Sequence, residues 1–369
     1  FTYDDVDYLR GLGIFKEDFL HYLSGFHFSG DIYAIPEGTV VFPKEPLLKV
    51  VAPIMEAQLV ETAILNIINH QSLIATKTSR IVFAANGDGI MEFGLRRAQG
   101  PDAGLYGARA AMIGGCVGTS NVLAGQMFDV PVMGTHAHSW IMSFPDEYTA
   151  FKTYAEMYPD NCTLLVDTYD TLKSGVPNAI RVFQEFKDAG KPLIKYGIRL
   201  DSGDLAYLSK EARKMLDEAG FPEATICASN DLDEFLLHDL KMQGAAIDSW
   251  GVGTNLITSK DCPSFGGVYK LAAIQNEKGE FVPKIKISEN TEKITNPGNK
   301  TIYRIYEKAS GKIKADLICF ADEVIDPKQD LLLFDPMDTW KKTKLAGGTY
   351  TVREILLPIF KNGECLYKS

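Results

Sequence analysis

The sequence predicts an α/β protein in which an irregular, incomplete parallel (β/α) barrel is inserted into a mixed α/β sandwich domain. Short apolar runs alternate with helix-like segments from about residue 88 to residue 261. Four successive strand starts, at residues 163, 194, 225 and 247, are spaced like repeated βα units. After about residue 262, β-like runs separated by turns indicate an appended antiparallel sheet.

Residues 1–88 are predicted to form the N-terminal part of the sandwich domain. A polar helical stretch comes first, and short β-rich runs with Pro and Gly turns follow it. Pro53 then begins a long helix, because Leu59, Ala63 and Ile67 recur at helical spacing beside a parallel second apolar stripe. We expect the two stripes to form a wide buried face.

Residues 89–261 are predicted to form the barrel and to carry the active site. The strand-like runs are IMEFG, GCVG, VPVMGT, TLLVD, IKYGIRL, TICAS and IDSWGVG. Repeated βα units favour a parallel barrel over an open doubly wound sheet, and none of them begins with a Rossmann fingerprint. Residues 262–369 supply a β-rich part, which we expect to pack with the N-terminal strands.

Composition limits the possible functions. The 369-residue chain is 46% hydrophobic and 23% charged, which is the range of globular proteins. Its net charge of −10 argues against nucleic acid or an anionic membrane surface as the main partner. The longest apolar run is too short to span a membrane. Six scattered cysteines without a CxxC pair indicate free thiols, Cys227 among them, and a reducing, cytoplasmic compartment.

Polar side chains follow nearly every predicted barrel strand. Because the carboxyl ends of parallel strands converge on one mouth, we expect these residues to share a site. Arg side chains, hydroxyls and glycine backbone N–H groups suit phosphate oxygens, whereas Asp suits sugar hydroxyls or hydrated Mg²⁺. A phosphosugar therefore fits the set. The candidate site residues are Phe93, Arg96, Arg97, Thr119, Ser139, Ser202, Gly203, Asp204, Ser229, Asn230, Gly251, Gly253 and Thr254, together with His136, His138, Arg199 and Asp201; position at the strand ends does not choose between the two histidines.

Three motifs leave alternatives open. RLDSGD (199–204) can hold an anion and a cation together, or it is a helix start capped by Asp201 or Ser202. GTHAHSW (134–140) places His136 and His138 on the same side if the strand continues. They are then either a metal pair or one catalytic and one structural histidine. In EFGLRRAQG (92–100), Phe93 is a core aromatic or a stacking platform for a flat ring.

The sequence resembles the nicotinate phosphoribosyltransferase family over essentially its whole length. The resemblance is carried, in order, by EFGLRRAQGPDAGLYGARAA, GTSNVLAG, GTHAHSW, DTYDTLKSGVPNAI, RLDSGD and GGVYKL. It implies an irregular barrel with a sandwich domain and a homodimer with active sites at the subunit interface. It also implies transfer of phosphoribose from 5-phosphoribosyl 1-pyrophosphate to nicotinate, with Mg²⁺, coupled to ATP hydrolysis as the first step of NAD salvage from nicotinate.

The resemblance also implies roles for individual residues. His138 matches the histidine that ATP phosphorylates, and His136 then has a supporting role. Phe93 would stack on the pyridine ring, Arg199 would hold nicotinate, and Asp201 matches a residue at the base and ribose site. Phosphate would be bound by Arg96, Gly253 and Thr254, with Ser139 beside the phosphohistidine. The family's N-terminal D-x-Y-x-x-T motif would precede Phe1, so we expect the sequence to lack a family segment there.

Three other functions stay open at this stage. A nicotinamide-specific phosphoribosyltransferase would use the same mechanism on the amide. A catalytically silent homologue would bind phosphosugars or act as a partner-binding scaffold, although His138 and Asp201 argue against it. A metal-dependent barrel hydrolase would need further ligands beyond His136 and His138, and the one downstream histidine, His238, lies in a helical segment.

Overall fold

The computed structural model describes residues 1–191, 193–287, 296–336 and 338–368. The chain divides into two units. One unit combines residues 1–65 with residues 268–369, and the other holds residues 66–267. None of the helices in these described ranges is long and apolar enough to cross a membrane.

The N-terminal segment consists of short elements and one long helix. These are α1 Tyr3–Gly11, α2 Glu17–Ser24, β1 Asp31–Ala34, β2 Leu48–Val51, α3 Ile54–Leu59 and α4 Glu61–Ala85. The predicted helix from Pro53 is thus two helices, separated at Val60. Its predicted buried face is wrong, because Ile67 is 54% exposed. The second half of α4 is buried instead, through Ile74 and Ile81, because this half packs into the core of the parallel sheet.

The second unit alternates strands and helices, as the sequence predicts. After α4 follow β3 Gly89–Glu92, a 3₁₀ turn Leu95–Arg97, α5 Pro101–Ile113, β4 Gly118–Thr119, α6 Val122–Phe128, α7 His138–Met142, α8 Glu147–Met157, β5 Cys162–Leu165, a π-helical turn Thr171–Gly175, α9 Val176–Asp188, β6 Tyr196–Leu200, α10 Leu205–Glu218, β7 Thr225–Asn230, α11 Glu234–Met242, β8 Ser249–Val252 and α12 Thr254–Ile257.

The six strands of this unit form one curled parallel half-barrel. They pair in the order β4-β3-β8-β7-β6-β5. The prediction of an incomplete parallel barrel is confirmed, but the predicted strand at 130–135 is wrong. There only Val132 forms a bridge, to Thr119, because Pro131 has no N–H to donate to a ladder. The sheet therefore stays open between β4 and β5.

A continuous apolar core lies between the parallel sheet and its helices. Its largest fully buried side chains are Trp250, Phe151 and Phe183. Cys162 and Cys227 are buried in this unit as free thiols, as the sequence predicts for Cys227. Such thiols pack as small hydrophobic groups, and burial raises the pKa of the Cys162 thiol to about 12.

The C-terminal strands are antiparallel. They are β9 Ala273–Gln275, β10 Phe281–Pro283, β11 Lys300–Glu307, β12 Ile313–Phe320, β13 Leu331–Phe334, β14 Lys342–Leu345, β15 Tyr350–Glu354, β16 Leu357–Lys361 and β17 Glu364–Cys365. β1 pairs with β16 in a sheet of order β17-β16-β1-β2, so the two ends of the chain share one unit, as expected. The barrel unit is therefore inserted between two parts of the other unit.

The unit boundaries differ from the predicted domain boundaries. The predicted boundaries are 88/89 and 261/262, whereas the compact units divide at 65/66 and 267/268. The first difference arises because Ile74, Ile81 and Ala85 of α4 pack in the core of the parallel sheet.

Candidate functional site

The carboxyl end of the parallel sheet brings most of the predicted residues to one edge. Five of the six strands end on this edge, at the residues Glu92, Thr119, Leu200, Asn230 and Val252. The segments that follow these strands carry the aromatic, charged and hydroxyl groups described below. Because the strands are parallel, their carboxyl ends bring together residues that are up to roughly 160 positions apart in the sequence.

Arg199 is the centre of this site. Its Nε donates to Ser229 Oγ at 2.8 Å, one terminal nitrogen donates to Thr135 Oγ1 at 2.7 Å, and the other donates to Asp201 Oδ1 at 3.0 Å. Ser229 Oγ in turn donates to the same Asp201 oxygen. Three neighbours thus hold the guanidinium in one orientation, while one N–H on each terminal nitrogen has no protein acceptor among the described residues.

Phe93 lies next to this guanidinium. The Cζ of Arg199 is 5.6 Å from the centre of the Phe93 ring. On another side the ring packs closely on Gly251, where a Cβ would lie 2.6 Å from Phe93 Cδ2. Glycine is required at position 251 because a larger side chain would push the ring away. Of the two interpretations of Phe93, this half-buried position beside Arg199 favours the platform over the core aromatic.

The two histidines of GTHAHSW have different environments. The segment is not a strand at these residues, so the condition for a common orientation of the two histidines is not met. His136 is 9% exposed and accepts a hydrogen bond from Leu165 N at 3.3 Å through Nε2. Burial lowers the pKa of His136 to about 4, so the ring is neutral. His138 begins α7 with its side chain 39% exposed.

His138 faces hydroxyl and carboxylate groups. Its Nδ1 is 3.0 Å from Thr168 Oγ1, and its Nε2 is 3.7 Å from Asp201 Oδ2 and 3.9 Å from Asp167 Oδ1. The Asp167 side chain is almost completely buried, and its Oδ2 accepts from Asp201 N and Ser202 Oγ. Its Oδ1 has no hydrogen-bond partner among the residues that the structure describes. Two carboxylates therefore share the space beside the imidazole, and one of them has an unsatisfied oxygen.

RLDSGD leaves β6 in a tight turn. Gly203 has φ +79°, a conformation that favours glycine, and Asp204 caps α10 by accepting from Tyr207 N at 3.0 Å. The alternative that Asp201 or Ser202 caps the helix is therefore wrong, since the cap is Asp204, three residues after Asp201 and two after Ser202. This frees Asp201 to pair with Arg199.

Thr119 is predicted to bind substrate, but its hydroxyl is buried below the mouth and bonded within the protein. It is fully buried, and its Oγ1 donates to Glu92 Oε2 at 2.6 Å and accepts from Asn121 N at 3.0 Å. The other oxygen of Glu92 accepts from Gly94 N. Thr119 thus joins the ends of β3 and β4 beneath the mouth.

The remaining predicted residues surround the mouth at its rim. Arg96 and Arg97 are exposed on the 3₁₀ turn after β3, and Ser139 is exposed in the first turn of α7. Asn230 is exposed at the end of β7, and Gly253 and Thr254 begin α12. These side chains have no contacts that assign them a structural role within the described part of the chain.

Sequence reasoning missed two hydroxyls, Thr135 and Thr168. Thr135 holds Arg199 and Thr168 holds His138. Both lie inside sequences quoted above, GTHAHSW and DTYDTLKSGVPNAI, but nothing in those sequences distinguishes a threonine that holds a functional side chain from one that does not.

Comparisons with known proteins agree with this geometry. A model described as the nicotinate phosphoribosyltransferase family matches residues 89–308, and models of its N-terminal and C-terminal domains match residues 1–69 and 299–369. The chain is 54% identical to nicotinate phosphoribosyltransferase of Bacillus subtilis over all of its own length and 74% of the relative. A nicotinate phosphoribosyltransferase of Mycobacterium tuberculosis is 44% identical over 83% of this chain and 64% of the relative.

The fold has a solved counterpart. The crystal structure of human nicotinic acid phosphoribosyltransferase superposes with a TM-score of 0.84 at 29% identity. The match covers 99% of this chain and 79% of the human one.

Proposed function

The chain belongs to the nicotinate phosphoribosyltransferase family of enzymes, and we propose that it joins nicotinate to 5-phosphoribosyl 1-pyrophosphate, giving nicotinate mononucleotide and pyrophosphate. The observation that carries the proposal is the juxtaposition of Arg199, Phe93 and Asp201 at the carboxyl end of the sheet. Phe93 matches a flat ring, Arg199 matches a carboxylate, and Asp201 matches the hydroxyls of a sugar.

Arg199 and Phe93 would bind nicotinate. The two N–H groups that remain on the terminal nitrogens of Arg199 match the two oxygens of a carboxylate, and the Phe93 ring beside them offers a stacking surface. Because three neighbours already orient the guanidinium, little side-chain entropy is lost on binding. Nicotinamide has no charge on its amide, so this arrangement favours the acid.

The rim residues would bind the phosphosugar. Arg96 and Arg97 supply cationic side chains, and Gly253 and Thr254 supply backbone N–H groups and a hydroxyl for phosphate oxygens. Ser202, Gly203, Asp204 and Asn230 lie at the same edge, where ribose hydroxyls need acceptors and donors.

Transfer breaks the bond between C1′ and the pyrophosphate oxygen and forms a bond from C1′ to the pyridine nitrogen. Positioning and charge stabilisation then supply most of the rate enhancement.

Asp167 and Asp201 fit a magnesium ion. Carboxylate oxygens are the ligands that Mg²⁺ prefers. Asp167 Oδ1 is a buried oxygen that accepts no hydrogen bond from the described residues, and it and Asp201 Oδ2 both lie within 4 Å of His138 Nε2. These two residues would hold Mg²⁺ directly or through water. When bound, the ion supplies neutralisation of the pyrophosphate charge.

His138 would carry the phosphoryl group from ATP. An imidazole nitrogen attacks the γ-phosphorus, the bond to the bridging oxygen breaks, ADP leaves, and water later hydrolyses the phosphohistidine. Thr168 holds the ring, and Ser139 follows it in the first turn of α7. A phosphoryl group at this position adds negative charge beside Asp201, which connects the ATP reaction to the residues around Arg199.

Product formation tests the proposed function. We expect nicotinate mononucleotide from nicotinate and 5-phosphoribosyl 1-pyrophosphate, at a rate that rises with ATP, and far less product from nicotinamide. Product from nicotinamide alone would move the protein to the nicotinamide-specific relatives. Product from neither substrate would favour a silent homologue.

Labelling tests the role of His138. Incubation with γ-³²P-ATP should give acid-labile protein phosphate in the unaltered protein but none in His138→Ala, which retains slow transfer without ATP. His238→Ala is the matched control, because His238 is exposed on α11 away from the strand ends. Label that persists in His138→Ala would assign the phosphoryl group to another residue.

We further propose a cytoplasmic homodimer with its active sites at the subunit interface. The free thiols of the described cysteines support a reducing compartment. Sedimentation equilibrium should give twice the 40.8 kDa chain mass, and a monomer with full activity would contradict the shared site.

A further inference from the structure

Glu92 is a buried carboxylate that the proposed reaction does not use. It ends β3 and is fully buried. No Lys, Arg or His of the described chain forms an ion pair with it. Burying a charged group without a cation is unfavourable unless hydrogen bonds replace its water, and burial does raise the pKa of Glu92. A carboxyl group at such a position needs an explanation beyond packing.

The contacts of Glu92 connect two strand ends. Oε1 accepts from Gly94 N, and Oε2 accepts from Thr119 Oγ1 at 2.6 Å. The backbone oxygen of Glu92 also accepts from Ser120 N at 3.0 Å. The side chain and the main chain of one residue therefore tie the turn after β3 to the turn after β4.

Phe93 lies in the sequence between Glu92 and Gly94, the two residues joined by the Oε1 hydrogen bond. Its N donates to Val252 O at 2.8 Å, which fixes the peptide before the ring, and the Glu92–Gly94 bond fixes the peptide after it. Gly94 also packs closely on Ile257, because a Cβ at residue 94 would lie 2.5 Å from Ile257 Cβ. The main chain is thus held on both sides of Phe93, which fixes the point from which its ring projects.

We propose that Glu92 is a positioning residue that holds the Phe93 ring beside Arg199 by binding Gly94 N–H and the Thr119 hydroxyl. The proposal rests on the proposed function, since Phe93 is the surface for the pyridine ring. Glu92 itself does not touch the substrate. Its loss should therefore weaken nicotinate binding through Phe93 and leave the phosphoribose side of the reaction largely intact.

Two substitutions separate hydrogen bonding from volume. Glu92→Met keeps a similar volume and removes both hydrogen bonds. Glu92→Gln keeps an oxygen that accepts from Gly94 N–H and supplies an amide N–H that donates to Thr119 Oγ1, so both contacts persist with the second one reversed in direction. We expect Glu92→Met to raise the nicotinate KM about fivefold or more, with kcat and the 5-phosphoribosyl 1-pyrophosphate KM within about twofold, and Glu92→Gln to restore the nicotinate KM to within about twofold. An unchanged KM in Glu92→Met, or failure of Glu92→Gln to restore it, would overturn the proposal.

A double-mutant cycle tests whether Glu92 acts through Phe93. Phe93→Leu should raise the nicotinate KM by itself, and adding Glu92→Met should raise it by less than about twofold more, because the ring is already gone. Multiplicative effects would show that Glu92 acts by another route. If Glu92→Met does not fold, Thr119→Val replaces it in the same cycle, since it removes the hydroxyl that Glu92 binds at nearly constant volume.

Glu147→Met is the matched control. Glu147 on α8 is also buried and accepts from Asn178 Nδ2 at 2.9 Å and from Ser174 Oγ, but among the described residues it forms no hydrogen bond with Gly94 or Thr119. It should lower the melting temperature without changing the nicotinate KM. If the unaltered protein makes no nicotinate mononucleotide, the proposed function and this inference both fail. If it makes product and Glu92→Met has a normal KM, only this inference fails.

Discussion

The two ends of the parallel sheet are built differently. At the amino end, Asp88 accepts from Lys241 Nζ at 2.5 Å and from Trp250 Nε1 at 2.9 Å, so its charge is paired. At the carboxyl end, Asp167 Oδ1 is buried and accepts no hydrogen bond from the described residues, and Arg199 keeps an N–H on each terminal nitrogen without an acceptor among them. Asp88 is thus satisfied within the protein, whereas Asp167 and Arg199 keep hydrogen-bonding capacity for a ligand. This difference separates stability from function within one sheet.

The largest expected effect is on stability at the amino end. A Cβ at residue 197 would lie 2.1 Å from Thr225 O on the neighbouring strand, and backbone does not move aside easily. Gly197→Ala should lower the free energy of unfolding by more than about 3 kcal/mol. Gly251→Ala at the other end displaces only the Phe93 ring and should cost about 1 kcal/mol while raising the nicotinate KM. Urea denaturation with matched kinetics checks both, and the reverse order of stability would contradict the comparison.

His136 predicts acid sensitivity of the fold. Burial lowers its pKa from 6.5 to about 4, so the folded protein binds fewer protons than the unfolded chain between these values. The stabilisation is complete above pH 6.5 and is lost as the pH falls toward 4, by about 3 kcal/mol at most. His136→Gln keeps an acceptor for Leu165 N–H and cannot titrate. Its unfolding free energy should therefore depend less on pH in this window, and an equal pH dependence would assign the effect to other groups.

Much of the fold could be predicted, because β6, β7 and β8 are apolar runs between amphipathic helices. The strand expected at 130–135 failed because a single proline outweighs an apolar pattern. The buried face expected near Ile67 failed because periodicity does not reveal which half of a long helix meets the core. In the site, Arg199 and His138 stood out by motif. Thr135 and Thr168 did not, since a lone hydroxyl acquires its role only when separate strands bring it to its partner.

A smaller stability effect is expected at Arg213 on α10. Its guanidinium donates to Phe221 O at 2.8 Å and Ala224 O at 2.5 Å and pairs with Asp217. Arg213→Ala should lower the free energy of unfolding by about 2 kcal/mol, because two backbone oxygens lose their donor. Thermal melting measures the loss. A normal nicotinate KM is expected, and a raised KM would mean that the two ends of the sheet are coupled.

The smallest effect is expected at a helix cap on the carboxyl side. Asp233 accepts from Phe235 N at 3.1 Å and Leu236 N at 2.8 Å, so it is satisfied although it lies near the functional edge. Asp233→Ala should cost about 1 kcal/mol of unfolding free energy and leave the kinetics unchanged. A changed KM would extend the site to the start of α11.

The nicotinate KM of Arg199→Ala, with Arg213→Ala as the control, tests the central claim most directly. Loss of a charged hydrogen-bonding partner worth about 1.5–3 kcal/mol predicts a rise of at least about tenfold for Arg199→Ala. Arg213→Ala should keep the KM of the unaltered protein despite its lower stability. An unchanged KM in Arg199→Ala would place nicotinate elsewhere and contradict the assignment of the carboxyl end as its binding site.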